Sequence, residues 1–157
     1  MKTHNPLRRV SLTCALWLLA MGAAFVATAS PALSQELVAV VHESNPASSL
    51  STDDVKRFYL GQTTNWSSGG IVALVVQPPS SASSKALFKR LLKMAPSRFK
   101  HMWQEKALSG QGVAPKKVGG SASALISKVS EKPKALGVLL KSEVPAEASG
   151  VKFIPIQ

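Results

Sequence analysis

Apolar residues follow two different spacings along this chain, and each spacing predicts one type of element. Short apolar runs at residues 36–42, 71–77, 135–140 and 150–156 are typical of strands buried in a sheet. Between them, apolar residues three and four positions apart predict helices. Strands that alternate with helices indicate an α/β fold, a three-layer sandwich with a mixed, largely parallel sheet. Pro155 places the last strand at an edge or makes it short.

The first two predicted helices have clear start and stop signals. Ser51 can cap the first helix, and Asp53 and Asp54 follow where the helix dipole favours negative charge. Gly61 supplies the left-handed residue that ends it. The second helix is expected over about residues 83–94, with an apolar stripe opposite a row of lysines.

Two further helices follow. Pro96 suits the first position of a third helix, which buries Phe99, Met102 and Trp103 and ends near residue 110. Residues 111–123 are expected to form a loop. A shorter fourth helix then starts at a serine cap, for which residues 121 and 123 are both candidates.

The first 34 residues have the three-part layout of a secretory signal peptide: a basic start, an uncharged apolar run and small residues. Cleavage is expected after Ser34, with cleavage after Ala29 as the alternative. A retained membrane anchor is disfavoured because the apolar run is short for a spanning helix. A lipoprotein is disfavoured because Cys14 stands at the front of that run. The expected product is a periplasmic domain, residues 35–157, without an integral membrane segment.

The predicted mature domain is basic and contains no cysteine. Lys2, Arg8 and Arg9 leave with the signal, so sixteen of the 19 basic residues remain against 8 acidic ones, a net charge of +8. Basic charge often indicates nucleic-acid binding, but export removes most such partners, and we expect none. Anionic ligands, lipid headgroups and acidic protein surfaces remain, as does a lysine-rich surface that only keeps the protein soluble.

Patterns for catalysis and metal binding are weak. The three histidines are scattered along the chain, which disfavours a metal site formed from them. Asp53 and Asp54 are better explained as helix-start residues than as a catalytic pair. The chain contains neither a G-x-S-x-G nucleophile turn nor a phosphate-binding loop with its lysine. We therefore expect a protein that is not an enzyme and that uses no cofactor or metal.

The segment QPPSSASSKALF, residues 77–88, is the best candidate site. A strand leads into small hydroxyl residues, and a helix begins there. The N–H groups of a first helical turn lack partners within the helix, so they can bind an anion together with serine hydroxyls. The alternative is ordinary capping, in which one serine caps the helix and its neighbours form surface loop.

Four segments occur in an order that resembles the second lobe of the phosphate-binding proteins of ABC transporters, which are type 2 periplasmic binding proteins. They are LSTDDVKRFYLGQTTNW, IVALVVQPPSSASSKALF, MAPSRFKHMW and ALGVLL. The resemblance extends over about residues 37–140. It implies that Gly61 and Trp66 mark the exit from one helix and the entry into the ligand-side strand, as structural residues.

The resemblance also implies a set of ligand-binding positions. Ser81 matches the serine of the family that binds phosphate, and Ser83 matches its threonine. Ser80 and Ala82 stand in the places of glycines, and Gln77 stands in the place of an arginine. Because a hydrogen bond to a charged group is worth about 1.5–3 kcal/mol, loss of the arginine predicts weaker binding.

The family encloses its ligand between two lobes, and this chain has the length of one. We therefore expect weak recognition of phosphate or another oxyanion at Gln77, Ser80, Ser81, Ala82 and Ser83. The alternative is an interaction or accessory module of the cell envelope that keeps the fold without the ligand. Such a module would use its basic helix face to bind an envelope protein or an anionic surface.

Overall fold

The computed structural model describes residues 36–157, which form a five-stranded sheet in the order β3-β2-β4-β1-β5. The strands are β1 (Leu37–His42), β2 (Ala73–Val76), β3 (Lys116–Lys117), β4 (Ala135–Leu140) and β5 (Val151–Pro155). β2 pairs in parallel with β3 and β4, whereas β1 is antiparallel to β4 and β5. The predicted α/β fold with a mixed sheet is confirmed, and β5 lies at an edge. The predicted signal segment and its cleavage sites lie outside the described residues.

All four predicted helices are present. They are α1 (Thr52–Tyr59), α2 (Ala82–Ala86), α3 (Pro96–Leu108) and α4 (Ala122–Ser130), and a 3-10 turn (Lys141–Glu143) follows β4. Between residues 36 and 157, no helix combines the length and the apolar character needed to cross a bilayer.

The ends of α1 match the sequence signals. Ser51 accepts a hydrogen bond from the N–H of Asp54 and donates one to its carboxylate, which holds the pKa of Asp54 below its usual value. At the other end Gly61 has φ +62°, and its N–H donates to the carbonyl of Phe58. The N–H of the next residue, Gln62, reaches back to the helix as well. This pattern satisfies the last carbonyls of the helix and requires the left-handed glycine.

The second helix differs from its prediction in shape. After α2 the backbone widens into a π-helical segment, Leu87–Leu92, and ends on Lys93 with φ +50°. Residues 87, 88, 91 and 92 are buried. Because that spacing fits one face of either helix type, the hydrophobic pattern did not distinguish them.

The predicted loop over residues 111–123 contains a strand, β3. Lys116 and Lys117 pair in parallel with Val75 and Val76. Both lysine side chains are exposed, so this strand leaves no hydrophobic signal in the sequence. The strand predicted over residues 71–77 is shorter in the structure, where β2 is Ala73–Val76. Ile71, which precedes it, is 62% exposed.

Helices cover both faces of the sheet, which confirms the three layers. Successive residues of β4 point to opposite sides: Leu136 and Val138 pack with α1, the π-helical segment and α3, whereas Ala135 and Leu139 pack with α4. Gly137 lies between them, where a Cβ atom would stand 2.5 Å from a methyl carbon of Leu125. A side chain here would force the Leu125 side chain to shift, so glycine allows α4 to approach this strand closely.

Trp103 joins α3 to the rest of the core, as the sequence predicted. Its indole N–H donates to the carbonyl of Tyr59 at 2.9 Å, and its ring packs edge-on against Phe99. The Tyr59 hydroxyl in turn donates to the carbonyl of Val75 at 3.0 Å. Tyr59 is fully buried, which raises the pKa of its phenol above the usual value.

We expect Trp103→Ala to lower the free energy of unfolding by about 3–5 kcal/mol, because it removes a buried aromatic side chain and leaves a cavity. Trp103→Phe should cost less, since part of the ring packing remains. Denaturant unfolding at constant m-value measures both, with the exposed His101→Ala on the same helix as control. A loss below about 1 kcal/mol for the alanine variant would contradict this position for α3.

Candidate functional site

The five predicted site residues lie at the carboxyl end of β2, where the chain turns into α2. Gln77 directly follows β2 and is only 2% exposed, and Ser83 is fully buried in the first turn of α2. Ser80 and Ala82 are exposed, and Ser81 is half-buried. Ligands of open α/β sheets bind at this end of parallel strands.

Gln77 connects the starts of two helices. Its side-chain N–H group donates to the carbonyl of Ser121 at 2.9 Å, and its side-chain oxygen accepts from the Ser81 hydroxyl at 3.0 Å. Ser81 is the N-cap of α2 and Ser121 is the N-cap of α4. The two helix N-termini therefore lie on either side of a single carboxamide group.

Ser81 makes the contacts of an ordinary helix cap. Its oxygen accepts from the N–H of Ser84 at 3.2 Å, while its hydroxyl lies 3.0 Å from both the Gln77 side-chain oxygen and the carbonyl of Pro78. In the structure, Ser81 therefore acts as an ordinary cap of α2. Its hydroxyl hydrogen must turn away from these acceptors to meet a ligand.

Ser83 connects the start of α2 to the end of β4. Its hydroxyl accepts from the N–H of Leu140 at 2.7 Å and donates to the carboxylate of Glu143. A residue that the resemblance assigns to phosphate therefore already binds an anionic group of its own chain.

The backbone leaves donors open at both helix starts. Within residues 36–157, no hydrogen bond engages the N–H groups of Ala82, Ser83, Ala122 or Ser123. The exposed hydroxyls of Ser121 and Ser123 lie 3.1 Å apart beside the start of α4. Because helix N-termini carry partial positive charge, this edge of the sheet suits an anion.

The contribution of α4 to this edge was not predicted from the sequence. Ser121 was identified only as a cap, because it lies 44 residues from Gln77. One signal for this contact was present in the sequence: Gln77 is a polar residue at the end of an apolar strand, and a buried carboxamide requires hydrogen-bond partners. Across the described part of the chain, no three His, Cys, Asp or Glu residues gather in a way that would hold a metal ion.

We expect Gln77→Ala to lower the free energy of unfolding by about 1–3 kcal/mol, because it removes the hydrogen bonds that the buried Gln77 side chain makes with Ser121 and Ser81. Gln77→Glu should also destabilise the fold at neutral pH, since a carboxylate repels the carbonyl of Ser121. Chemical denaturation measures both, with the exposed Gln104→Ala as matched control. If all three variants unfold alike, the bridge contributes nothing to stability.

Solved structures of phosphate receptors have a similar fold. The ABC-type phosphate transport receptor of Vibrio cholerae is 22% identical with a TM-score of 0.55, and the match covers 76% of this chain and 45% of the receptor. A phosphate ABC transporter substrate-binding protein of Clostridium perfringens, solved with bound phosphate, is 18% identical with a TM-score of 0.58, over 77% and 44%. PstS of Borrelia burgdorferi is 13% identical with a TM-score of 0.56, over 78% and 47%.

No family model matches the sequence, and no curated protein matches it either. The likeness therefore concerns the fold, and the chain spans less than half of the length of these receptors. At that level the resemblance derived from the sequence is confirmed. Residues 36–157 have the fold of a part of the phosphate ABC transporter substrate-binding proteins, with the extent of a single lobe.

Proposed function

We propose that this domain is an exported binding protein without enzymatic activity that recognises phosphate or another oxyanion weakly. The observation that carries the proposal is the pairing of two serine-capped helix starts around Gln77, with open N–H groups on both. The fold it shares with phosphate-binding proteins supports the same ligand class. The anion would lie against Ser80 and Ser81 and the first-turn amides of α2, with α4 alongside.

Three features make the proposed binding weak. The position that would hold an arginine is Gln77, whose side chain is occupied by hydrogen bonds with Gly120, Ser121 and Ser81. Ser83 is engaged by Glu143, whose negative charge opposes an incoming anion. The matched receptors are more than twice as long as the matched region, so a second wall for the site is not present in residues 36–157. We expect a dissociation constant on the order of tens of micromolar or poorer.

Calorimetric titration with inorganic phosphate tests this proposal. Ser81→Ala should weaken binding several-fold, whereas Ser109→Ala, at the far end of α3, should leave it unchanged. Glu143→Gln keeps an oxygen for the Ser83 hydroxyl but removes the opposing charge, so it should tighten binding about three- to tenfold at low salt. Absence of heat in all variants, or equal affinity in all of them, would contradict an anion site here.

The second candidate is an interaction module of the cell envelope. It is favoured by the internal use of the Ser81 and Ser83 hydroxyls and by exposed apolar side chains, of which Leu108 is 89% and Val113 74% exposed. In that case phosphate would give no heat, and an envelope protein would bind to the surface that carries these residues.

Export is part of the proposal and has its own test. The periplasmic protein should begin at Gln35 or at Ser30, because the basic start and the apolar run specify translocation. Mass spectrometry of the periplasmic fraction identifies the N-terminus. Leu18→Arg interrupts the apolar run, so that variant should remain in the cytoplasm with Met1 intact. An unprocessed wild-type chain would contradict this prediction.

A further inference from the structure

A pocket of about 630 Å³ lies between α3, the turn after β2 and the loop that leads into β3. Phe88, Phe99 and Trp103 contribute aromatic carbon to it, and four prolines, residues 78, 79, 96 and 115, add rigid apolar surface. This volume is within the range of sites that bind small organic molecules, which are mostly apolar with a few polar groups. The pocket lies on the side of the sheet that α1 to α3 cover.

Positive charge surrounds this pocket. Lys100 and Lys117 line it directly. An adjoining depression shares its wall at Pro79, Phe88 and Pro96, and is lined in addition by lysines 85, 89 and 93. Neither the pocket nor the depression is lined by an acidic residue.

The lysine amino groups around the pocket are open to a ligand. Within residues 36–157, the five lysines make neither an ion pair nor a side-chain hydrogen bond, since the two ion pairs found there involve Lys128 and Lys141. Five uncompensated positive charges around one apolar surface attract an anion.

The composition of the pocket determines which anion fits. Bare phosphate would lose hydration against proline and aromatic carbon without gaining enough hydrogen bonds. A neutral apolar molecule would leave the lysines without a partner. An amphipathic anion satisfies both parts, because its apolar body covers the rings and its charged head stays at the wet rim beside the lysines.

We propose that this pocket binds a small amphipathic organic anion, one with a single carboxylate and an aliphatic body. The inference is independent of phosphate recognition, because it rests on a different set of side chains. Gln77 is the one residue that lines the pocket and also belongs to the candidate anion site.

Decanoate is the probe that tests the proposal. It should displace 1-anilinonaphthalene-8-sulfonate, whose fluorescence rises on entering an apolar pocket. Decanol has the same chain without the charge and should displace the dye at least tenfold less well. Octanoate should also bind less well than decanoate, by about two- to fourfold for each missing CH₂ group.

Matched charge variants identify the site. Lys100→Gln combined with Lys117→Gln should weaken decanoate binding about tenfold or more. Arg98→Gln combined with Lys116→Gln removes the same charge from neighbouring positions that do not line the pocket, and should have little effect. Lys116 is a close control because successive residues of a strand face opposite sides.

A second variant blocks the apolar part without touching the core. Ser97 is exposed at the start of α3 and lines the pocket, so Ser97→Phe should obstruct it and weaken the binding of both dye and decanoate while thermal unfolding stays unchanged. Equal displacement by decanol and decanoate would overturn the proposal, as would equal affinity in the two charge variants. Concentration-dependent dimerisation that Ser97→Phe abolishes would overturn it as well, because the occupant would then be a second copy of the chain.

Discussion

Burial of β4 on both faces is the constraint on which the rest of the fold depends. All six of its residues are buried, and it lies between β2, its parallel neighbour, and β1, its antiparallel neighbour. Such a strand has to be apolar throughout and needs a helix layer on each side. Gly137 allows α4 to pack closely on one face of the strand. The helices α1 to α3 cover the opposite face, where Trp103 of α3 donates a hydrogen bond to the carbonyl of Tyr59. The described domain contains no cysteine, so this packing stabilises it without a disulfide.

The same burial determines the polar network at the candidate site. Gln77 and Ser83 end up inside the protein, and a buried polar group without a partner is costly. Gln77 therefore binds both helix starts, and Ser83 binds Leu140 and Glu143. These contacts hold the N-termini of α2 and α4 side by side. They also use the hydroxyls that a tight phosphate site would need, which is why the proposed oxyanion binding is weak and relies on backbone amides.

Two ligand chemistries are thus proposed for neighbouring surfaces. The edge formed by α2 and α4 offers N–H groups and exposed serines, which suit a small hydrated oxyanion. The pocket beside α3 offers aromatic and proline carbon with lysines at its rim, which suits an anion with an apolar body. Gln77 lies between them, so a change at this residue would affect both surfaces. Variants at Ser81 and at Lys100 affect one surface each.

Local sequence patterns determined the type and order of most elements. The apolar runs of β1 and β4, the cap at Ser51 and Gly61 each act over a few residues, so they can be read directly. A serine cap was also expected at the starts of α2 and α4, and the folded structure selects Ser81 and Ser121. Tertiary structure decided the rest. β3 exists only through its pairing with β2, since its two lysines are exposed. The contacts of Gln77 with Ser121 and of Ser83 with Glu143 join residues 44 and 60 positions apart. The pocket likewise combines side chains from separate elements, because no local pattern specifies which surfaces the folded sheet brings together.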